Sequence, residues 1–560
     1  MSDQGLVAAS SAIGFASHLY FHRYEPCSAN VAVPILVCIP PTLLLLLQLP
    51  FSPENLSSAY LTFLGTLSML IVVYRLFPFH PLAAYPGPML GKATKLWTLG
   101  ISAAGFHYLY LKRLHDKYGP YVRIGPDELS IVDAAAVNQV LGSGGLDKGR
   151  YFLAGRHEST PPTIVSLTGD AHSAKRRVWN RGMSSSAIRE YDIFLVKRTR
   201  QLVERLESQS APLDIVLWFD LFSLDLMGDI SFGGGFELMK EGRDKDLIGS
   251  RIRGYSKASN LSGKIPWIIP TLYLLPFVGK MIQEFNDFGQ RLALQRMKNG
   301  PPFGAKDLWY HLADEAGLEK ERPTLESSAA DGIVAVVAAS DTTASTMAAF
   351  VWLMITNTEA RLRVQAELDR VFPDVGDLDA LYDPELHQDL EYLTACINET
   401  LRLHPPLPSN GGPRQATKGD RQIFGRMIPA GTSVYTPSYV LHRRPGYFSD
   451  PEKFIPERWL SPKARSRSPS ASGETITITA HEPSAFIPFS LGSANCVGQR
   501  FAKREMLLVL AVLFRTFDFA FDDSEGAKKI ETVAWTDSIE DFFVSTRGPM
   551  KVKLTRRTRA

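Results

Sequence analysis

The distribution of apolar and charged residues divides the chain into an apolar N-terminal part and a longer mixed part. None of residues 26–53 and 55–74 is charged. Both stretches are long enough to cross a bilayer as helices, and a third, less apolar candidate covers residues 5–21. The pattern predicts a membrane anchor of two or three transmembrane helices within residues 1–80.

Basic residues predict the orientation of this anchor. Arg75, Lys92 and Lys95 follow the last apolar stretch, whereas residues 48–56 hold only Glu54. Because basic flanks stay in the cytoplasm, the rest of the chain is expected on the cytoplasmic side with either two or three spans. A cleaved signal peptide is disfavoured, since no basic segment precedes the first apolar stretch and further spans follow it.

Residues 81–560 have the pattern of one mostly helical domain. Prolines at 81, 86 and 88 predict a stiff hinge before it. Tyr121–Ile124 and Leu129–Val132 predict a hairpin of short strands, and most of the remainder predicts amphipathic helices. Ser461–Glu482 is polar enough to predict a disordered surface insertion.

A second long apolar run, residues 333–355, differs from the first ones because Asp341 lies near its middle. A lone carboxylate is costly at the centre of a bilayer, so a buried central helix over Ser328–Thr356 is expected instead. The carboxyl group of Asp341, which lies beside Thr342 on an apolar helix, needs either a charged or hydrogen-bonding partner or a functional role. The alternative is a hydrogen bond from Thr342 to a preceding carbonyl of the same helix.

Two acid–base motifs lie in the C-terminal half. Glu399 and Arg402 share one face of a helix that Pro405 ends, and Phe454–Trp459 contains Arg458. These residues are compatible with a buried Glu–Arg–Arg cluster, because arginine binds carboxylates through two parallel hydrogen bonds. A solvated salt bridge and a surface loop are the alternatives.

The sharpest motif surrounds one of the four scattered cysteines (Cys27, Cys38, Cys396 and Cys496), whose spacing excludes a disulfide scaffold. Gly492 and Gly498 bracket Cys496, and an apolar helix over Glu505–Phe514 follows. The glycines allow tight turns and leave room for a planar ligand. Backbone N–H groups and the helix dipole are expected to favour the thiolate, which soft metals bind.

Composition narrows the class of partner. Hydrophobic residues make up 45% of the chain, as in globular proteins, and the formal charge of +3 is too small for a protein that mainly binds nucleic acid. A small molecule or another protein is the expected partner.

Together these motifs resemble the cytochrome P450 family, because four of them occur in the family's order and spacing across about 480 of the 560 residues. They are the haem-binding signature (Phe489-x-x-Gly492-x-x-x-Cys496-x-Gly498), the K-helix pair (Glu399-x-x-Arg402), the meander (Phe454–Trp459) and the oxygen-binding helix (Ala338–Thr343). The resemblance implies a mostly α-helical fold with small β-sheets, preceded by N-terminal transmembrane helices.

The resemblance also implies roles for individual residues. Cys496 is implied to be the axial thiolate ligand of haem b, with Phe489, Gly492 and Gly498 shaping the loop around its sulfur.

Asp341 and Thr342 are implied to deliver protons during oxygen activation, the catalytic task of the site. Glu399, Arg402 and Arg458 are implied to form a structural cluster that stabilises the fold on the cysteine side of the haem.

Haem propionates are anionic, and the resemblance implies that His172, Arg176 and Arg414 bind them. Three positions depart from the usual pattern. Ala494 replaces an Arg or His, His172 replaces a Trp, and Ala339 replaces a Gly. The first change removes one propionate contact, and the last narrows the oxygen groove by a methyl group.

The implied activity is insertion of one oxygen atom from O2 into an apolar small molecule, a secondary metabolite such as a terpenoid or a xenobiotic. Electrons from NADPH are implied to arrive through a separate cytochrome P450 reductase, with cytochrome b5 as a further donor, because the chain has no flavin domain and no Gly-rich phosphate loop. The implied location is the endoplasmic reticulum membrane, in contact with lipid, with the catalytic domain on the cytoplasmic side.

Two alternatives stay open: an oxygen-independent haem-thiolate isomerase or dehydratase, and a non-enzymatic haem-binding membrane protein. Both are disfavoured because the Asp341–Thr342 pair is intact. A cysteine hydrolase is disfavoured because no recognisable histidine motif accompanies Cys496.

Overall fold

A computed structural model describes most of the chain. The described residues are 3–24, 29–154, 160–209, 212–234, 236–245, 247–272, 275–373, 378–462, 478–522 and 534–557. Most of the predicted polar insertion lies outside the described residues.

The described residues are mainly helical. The α-helices are α1 Asp3–Tyr24, α2 Ala29–Leu46, α3 Pro53–Leu76, α4 Met89–Ala93, α5 Lys95–Ala103, α6 His107–Tyr118, α7 Ala134–Leu141, α8 Gly169–Gly182, α9 Ser185–Glu207, α10 Ile215–Phe232, α11 Leu238–Glu241, α12 Ile248–Lys264, α13 Ile269–Leu272, α14 Pro276–Asn299, α15 Leu308–Leu312, α16 Leu325–Thr356, α17 Thr358–Val371, α18 Leu378–Leu381, α19 Glu391–Leu403, α20 Ser438–Leu441 and α21 Gln499–Thr516.

The strands are short and form small sheets. They are β1 Tyr121–Gly125, β2 Glu128–Ile131, β3 Asp147–Lys148, β4 Leu213–Asp214, β5 Arg414–Gln415, β6 Arg421–Ile423, β7 Arg426–Ile428, β8 Ser433–Tyr435, β9 Phe517–Phe521, β10 Glu540–Phe542, β11 Val544–Thr546 and β12 Lys551–Arg556. The largest sheet has the order β1-β2-β8-β5-β3, in which only β2 and β8 are parallel. The predicted hairpin is confirmed as the antiparallel pair β1–β2.

The apolar helices α1–α3 pack on one another at the N-terminus. Helix α3 is long and apolar enough to cross a membrane, and only 17% of its apolar window is buried in the protein. Helix α2 is shorter and contains Pro34, Pro40 and Pro41. The prediction of apolar N-terminal helices is therefore confirmed at the level of length and composition.

The other helix with that length and hydropathy is α16, whose apolar window is 67% buried. It extends about 48 Å at 1.5 Å per residue and contacts α10, α14, α19 and α21. Burial on several sides explains why Ala, Ser and Val dominate its sequence: small side chains permit close packing of neighbouring helices. The expected central helix is confirmed, and it begins three residues earlier than predicted.

Two hydrophobic cores hold the larger part of the protein together. One surrounds α9, α10, α16, α19 and α21, and the other lies beneath the five-stranded sheet and α7. The loop that carries Cys496 connects these two regions, because Phe489 packs on the first core and Leu491 on the second.

Candidate active site

The Cys496 loop is fixed by its backbone. The Cys496 N–H donates to the Phe489 carbonyl at 2.9 Å, and α21 begins three residues after the cysteine. Gly492 has φ +73°, and a Cβ there would lie 2.1 Å from the Leu141 carbonyl oxygen, so only glycine fits. Gly498 has an ordinary φ of −85°. A Cβ at this position would meet no atom within 4 Å, so Gly498 borders open space.

The Cys496 thiol is accessible, whereas the Cys396 thiol is completely buried. Protein surrounds the Cys496 sulfur closely enough that desolvation raises the pKa of the thiol, although the Gly498 N–H and Arg176 act in the opposite direction. Burial and the Gly498 N–H therefore act on the pKa of this thiol in opposite directions, and the preference of the loop for the thiolate stays a prediction.

Cationic side chains gather beside this loop. Arg176 donates to the Asn495 carbonyl and to Asn495 Oδ1, both at 2.6 Å. Arg414 is 8% exposed, and its guanidinium makes no hydrogen bond with any residue that the structure describes. Lys148 Nζ donates to the Ile164 carbonyl at 2.6 Å. The structure thus brings Arg176 and Arg414 together and adds Lys148, which the sequence analysis missed.

Mutual repulsion and burial raise the free energy of the charged forms of these side chains. Burial, together with Arg414 and Arg176, lowers the pKa of Lys148 to about 7. Burial, Lys148 and both arginines lower the pKa of His172 to about 4, so His172 is neutral at pH 7. The nearby acid Asp147 already binds Thr417 at 3.0 Å and Lys418 at 3.2 Å. Asp147 partly offsets the burial of the Arg414 charge, but within the described residues Lys148, Arg176 and Arg414 form no ion pair, a pattern typical of residues that bind an anion.

Asp341 and Thr342 lie in the middle of α16 and point to different partners. Thr342 Oγ1 donates to the Ala338 carbonyl at 2.8 Å, the helix-interior bond that the alternative interpretation expected. Asp341 Oδ1 lies 3.8 Å from an Arg253 nitrogen. Burial raises the pKa of Asp341 to about 6, and Arg547 offsets part of this effect. Near neutral pH this carboxyl group therefore exchanges protons readily.

A second buried acid on the other side of α16 escaped the sequence analysis. Glu505 of α21 is 1% exposed, and its Oε1 lies 2.9 Å from Thr343 Oγ1. Burial raises the pKa of Glu505 to about 8, so the carboxyl is mostly protonated at neutral pH. The Thr343 hydroxyl lies 2.9 Å from both Glu505 Oε1 and the Ala339 carbonyl, and its single hydrogen can be donated to either acceptor.

The Glu–Arg–Arg cluster is fully buried. Glu399 lies 2.8 Å from Arg402 and 3.1 Å from Arg458. The Trp459 indole and the Ile455 N–H also donate to this carboxylate, both at 2.9 Å. Arg402 donates in addition to three backbone carbonyls, those of His442, Pro451 and Lys453. Neither the solvated bridge nor the surface loop describes this arrangement.

An apolar cavity of about 340 Å³ lies along the N-terminal half of α16. Ile333, Val337 and Ala338 form one wall, and Phe152 and Phe543 contribute from other elements. The cavity ends close to the Thr342 turn, because Ala338 both lines it and accepts the Thr342 hydrogen bond.

Comparisons with known proteins bear on this geometry. The Cytochrome P450 family profile matches residues 83–539. "Cytochrome P450 monooxygenase orf5" of Eupenicillium brefeldianum is 32% identical over 497 residues, which cover 87% of this chain and 94% of that protein. "Cytochrome P450 67" of Uromyces fabae is 30% identical and covers 97% and 98% of the two chains. "Tryprostatin B 6-hydroxylase" of Aspergillus fumigatus is 28% identical, with 99% and 97% covered.

The profile spans most of the chain, and the relatives are similar over nearly their whole length. Members of the family carry haem with a cysteine thiolate ligand, receive electrons through a reductase and oxidise apolar small molecules. Two of these relatives are named as a monooxygenase and a hydroxylase, which argues against the isomerase and carrier alternatives. The chain belongs to the cytochrome P450 family.

Proposed function

We propose that Cys496 binds the haem iron as a thiolate and that Arg176, Arg414 and Lys148 bind the two haem propionates. The observation that carries this proposal is a cationic group, buried Arg414 with half-buried Arg176 and Lys148, which forms no ion pair within the described residues and lies beside an accessible thiol. Haem b would supply an iron that stabilises the Cys496 thiolate and two carboxylates that neutralise the cations. His172, which is buried and neutral, packs beside this group instead of adding a charge.

The test is spectroscopic. The purified protein should bind haem and give the reduced carbon monoxide spectrum of a thiolate-ligated iron, and it should consume NADPH when a cytochrome P450 reductase is added. A haem protein without thiolate ligation would contradict the proposal.

When bound, the haem supplies the redox centre at which dioxygen is reduced and split. Thr342 and Asp341 supply protons. Because the Thr342 hydroxyl donates its own hydrogen to Ala338, its lone pairs remain free to accept a hydrogen bond and orient a water molecule. Asp341 faces Arg253 and Arg547, and its raised pKa lets it take up and release a proton near neutral pH.

Thr342→Ala should leave haem binding intact but divert reducing equivalents to hydrogen peroxide. Without the hydroxyl, water is less well positioned, and product per NADPH should fall by roughly tenfold, less than the loss of a direct proton donor. NADPH consumption, peroxide and product are measured in one reconstituted assay. Thr342→Ser keeps the hydroxyl and is the matched control. Unchanged coupling in the alanine variant would assign Thr342 to helix structure alone.

The substrate is proposed to be an apolar secondary metabolite. The walls of the cavity along α16 are mainly aliphatic and aromatic, which favours ligands that bury most of their surface by the hydrophobic effect. Three relatives are named for hydroxylation of tryprostatin B, averantin and a trichothecene, which supports this class for the present chain.

The reductase is proposed to dock at a groove on the Cys496 side. The groove has a volume of about 1000 Å³ and is lined by the loop residues Gly492 and Ser493 and by charged residues of α8, among them Arg177. Arg177 is 61% exposed, whereas Lys175 is held by buried Asp331 at 2.7 Å. Arg177 is therefore the more accessible of these two basic residues, although its guanidinium already pairs with Glu319 at 2.7 Å. Cytochrome b5 is proposed to use the same face.

The N-terminal helices are proposed to form a three-span anchor, residues 1–80, for a catalytic domain of residues 81–560 on the cytoplasmic side of the endoplasmic reticulum. Helix α1 runs parallel to α3, because Ser11 lies beside Thr66 while the His22 and Tyr74 rings are 4.4 Å apart. A Cβ at Gly14 would lie 2.9 Å from the Phe63 carbonyl, so the two backbones approach closely.

The low hydropathy of α1 has a structural reason. Its small polar residues, Ser10 and Ser17, are buried against the bundle, whereas Val7, Phe15 and Leu19 are 42–51% exposed. The outward face of α1 is therefore apolar, although the mean hydropathy of the whole helix is low. This arrangement suits lipid outside and a helix partner inside, and it places the N-terminus and the cytoplasmic domain on opposite sides of the membrane.

An N-terminal extension that carries a glycosylation sequon should therefore be glycosylated in microsomes. The same extension after Ala560 should stay unmodified, which makes it the matched control. A two-span anchor would leave the N-terminus in the cytoplasm. Absence of the mass increase at the N-terminus, despite full membrane insertion, would thus contradict the three-span arrangement.

A further inference from the structure

One wall of the cavity along α16 contains a polar side chain with unused hydrogen-bonding capacity. Asn260 of α12 lines the cavity and is only 7% exposed. Its Oδ1 accepts a hydrogen bond from the Tyr151 hydroxyl at 2.6 Å. Its Nδ2 makes no hydrogen bond with any residue that the structure describes. A buried amide N–H without a partner is costly, so this group is expected to serve a ligand.

The orientation of Asn260 is fixed by the clamped ring of Tyr151. A Cβ at Gly263 would lie 2.7 Å from one edge of that ring, and a Cβ at Gly412 would lie 2.5 Å from the other. Two glycines on separate elements therefore hold the ring where larger residues would displace it. From this fixed position the Tyr151 hydroxyl donates to Asn260 Oδ1, so the amide N–H groups are the part of Asn260 that the described residues leave unused.

A second asparagine in the same wall provides a contrast. Asn286 of α14 also lines the cavity, but its Nδ2 donates to Thr160 Oγ1 at 3.2 Å. One of the two amide N–H groups of Asn286 is thus already used within the protein. Asn260 differs because Tyr151 bonds to its amide oxygen and leaves its amide N–H groups without a partner among the described residues.

We propose that Asn260 is a specificity-determining residue whose amide N–H binds an acceptor oxygen, of the carbonyl type, on an otherwise apolar substrate. The proposal rests on the function proposed for the cavity and adds the class of substrate. An apolar substrate without such an oxygen would leave the buried N–H unpaired, and an N–H donor at that position would oppose it. Such mismatches are penalised more strongly than a change in apolar contact. Tyr151 acts as a positioning residue.

Three rigid tricyclic probes of similar size test this proposal. 9-Fluorenone carries a hydrogen-bond acceptor, carbazole carries an N–H donor, and fluorene carries neither group. The full-length holoenzyme is titrated with each, and the change in haem absorbance gives Kd. The wild type should bind fluorenone more tightly than fluorene by roughly three- to tenfold, the range of one hydrogen bond. Asn260→Leu should abolish that ratio, Tyr151→Phe should reduce it, and Asn286→Leu should preserve it.

Several outcomes would overturn the proposal: an unchanged ratio in Asn260→Leu, a preference for carbazole, or no response of the wild type to any probe. The reduced carbon monoxide spectrum of each variant reports whether the haem site is intact. A normal spectrum with an unchanged ratio rejects the role of Asn260 alone, whereas loss of the thiolate spectrum in the wild type would reject the proposed function itself.

Discussion

Cys496→Ala is expected to abolish both thiolate ligation and turnover. Neither of the other two described thiols can replace the sulfur, because Cys396 is completely buried in α19 and Cys38 lies in the N-terminal helix α2. The cations Arg176, Arg414 and Lys148 stay in place, so haem can still associate through its propionates. The expected product is therefore a haem protein with an altered axial ligand, and the reduced carbon monoxide spectrum should lose the thiolate signature.

The matched control is Cys396→Ala, which removes a thiol of the same type from the core. It should keep the thiolate spectrum and lose only packing energy, about 1 kcal/mol. If Cys496→Ala retained the thiolate signature, the assignment of the ligand would be wrong. If both variants lost it, the effect would be one of folding rather than ligation.

The second large effect is expected from Glu399→Gln, which should cost about 3–5 kcal/mol of folding free energy because it leaves two buried arginines without their shared carboxylate. Domains have about 5–15 kcal/mol in total, so this loss should sharply reduce the yield of haem-loaded protein. Thermal unfolding and haem content per chain are the measurements. Glu452→Gln is the control. Glu452 also forms a close ion pair, 2.9 Å from Arg443, but its side chain is 58% exposed. A cost of at most about 1 kcal/mol is expected there.

The same cluster predicts sensitivity to acid. Burial would raise the pKa of Glu399, but the hydrogen bonds and charges of Arg402 and Arg458 hold it below its usual value. Because the folded-state pKa is depressed, the stabilisation is complete above the unfolded-state pKa of about 4.3 and is lost as the pH falls through the folded-state value. Glu399→Gln should therefore flatten the stability profile in acid. A parallel profile at lower stability would show that another group controls acid unfolding.

Motifs that are local in sequence were predictable from the residues. The glycine-bracketed Cys496 loop, the Glu399–Arg402 pair and the central helix around Asp341 each occupy one continuous segment, whose spacing follows from helix or turn geometry. Their order along the chain sufficed for the family resemblance, and the family profile confirms it.

Residues whose roles depend on contacts between distant segments were not predictable. Lys148 lies on a two-residue strand with no motif of its own, and it joins Arg176 and Arg414 only because β3 pairs with β5. Asn260 acquires its free N–H from Tyr151, which is 109 positions away. Glu505 is protonated because α21 packs on α16, which removes water from its carboxyl group.

The sequence by itself determined the family, the cysteine loop and the central helix, because these depend on local backbone geometry and on residues at fixed spacing. Only the tertiary structure decided the pKa shifts of Cys496, His172 and Glu505, since desolvation and neighbouring groups from other elements cause them. It also decided which face of α1 turns outward, because the pairing of α1 with α3 buries the serines and exposes the apolar side chains.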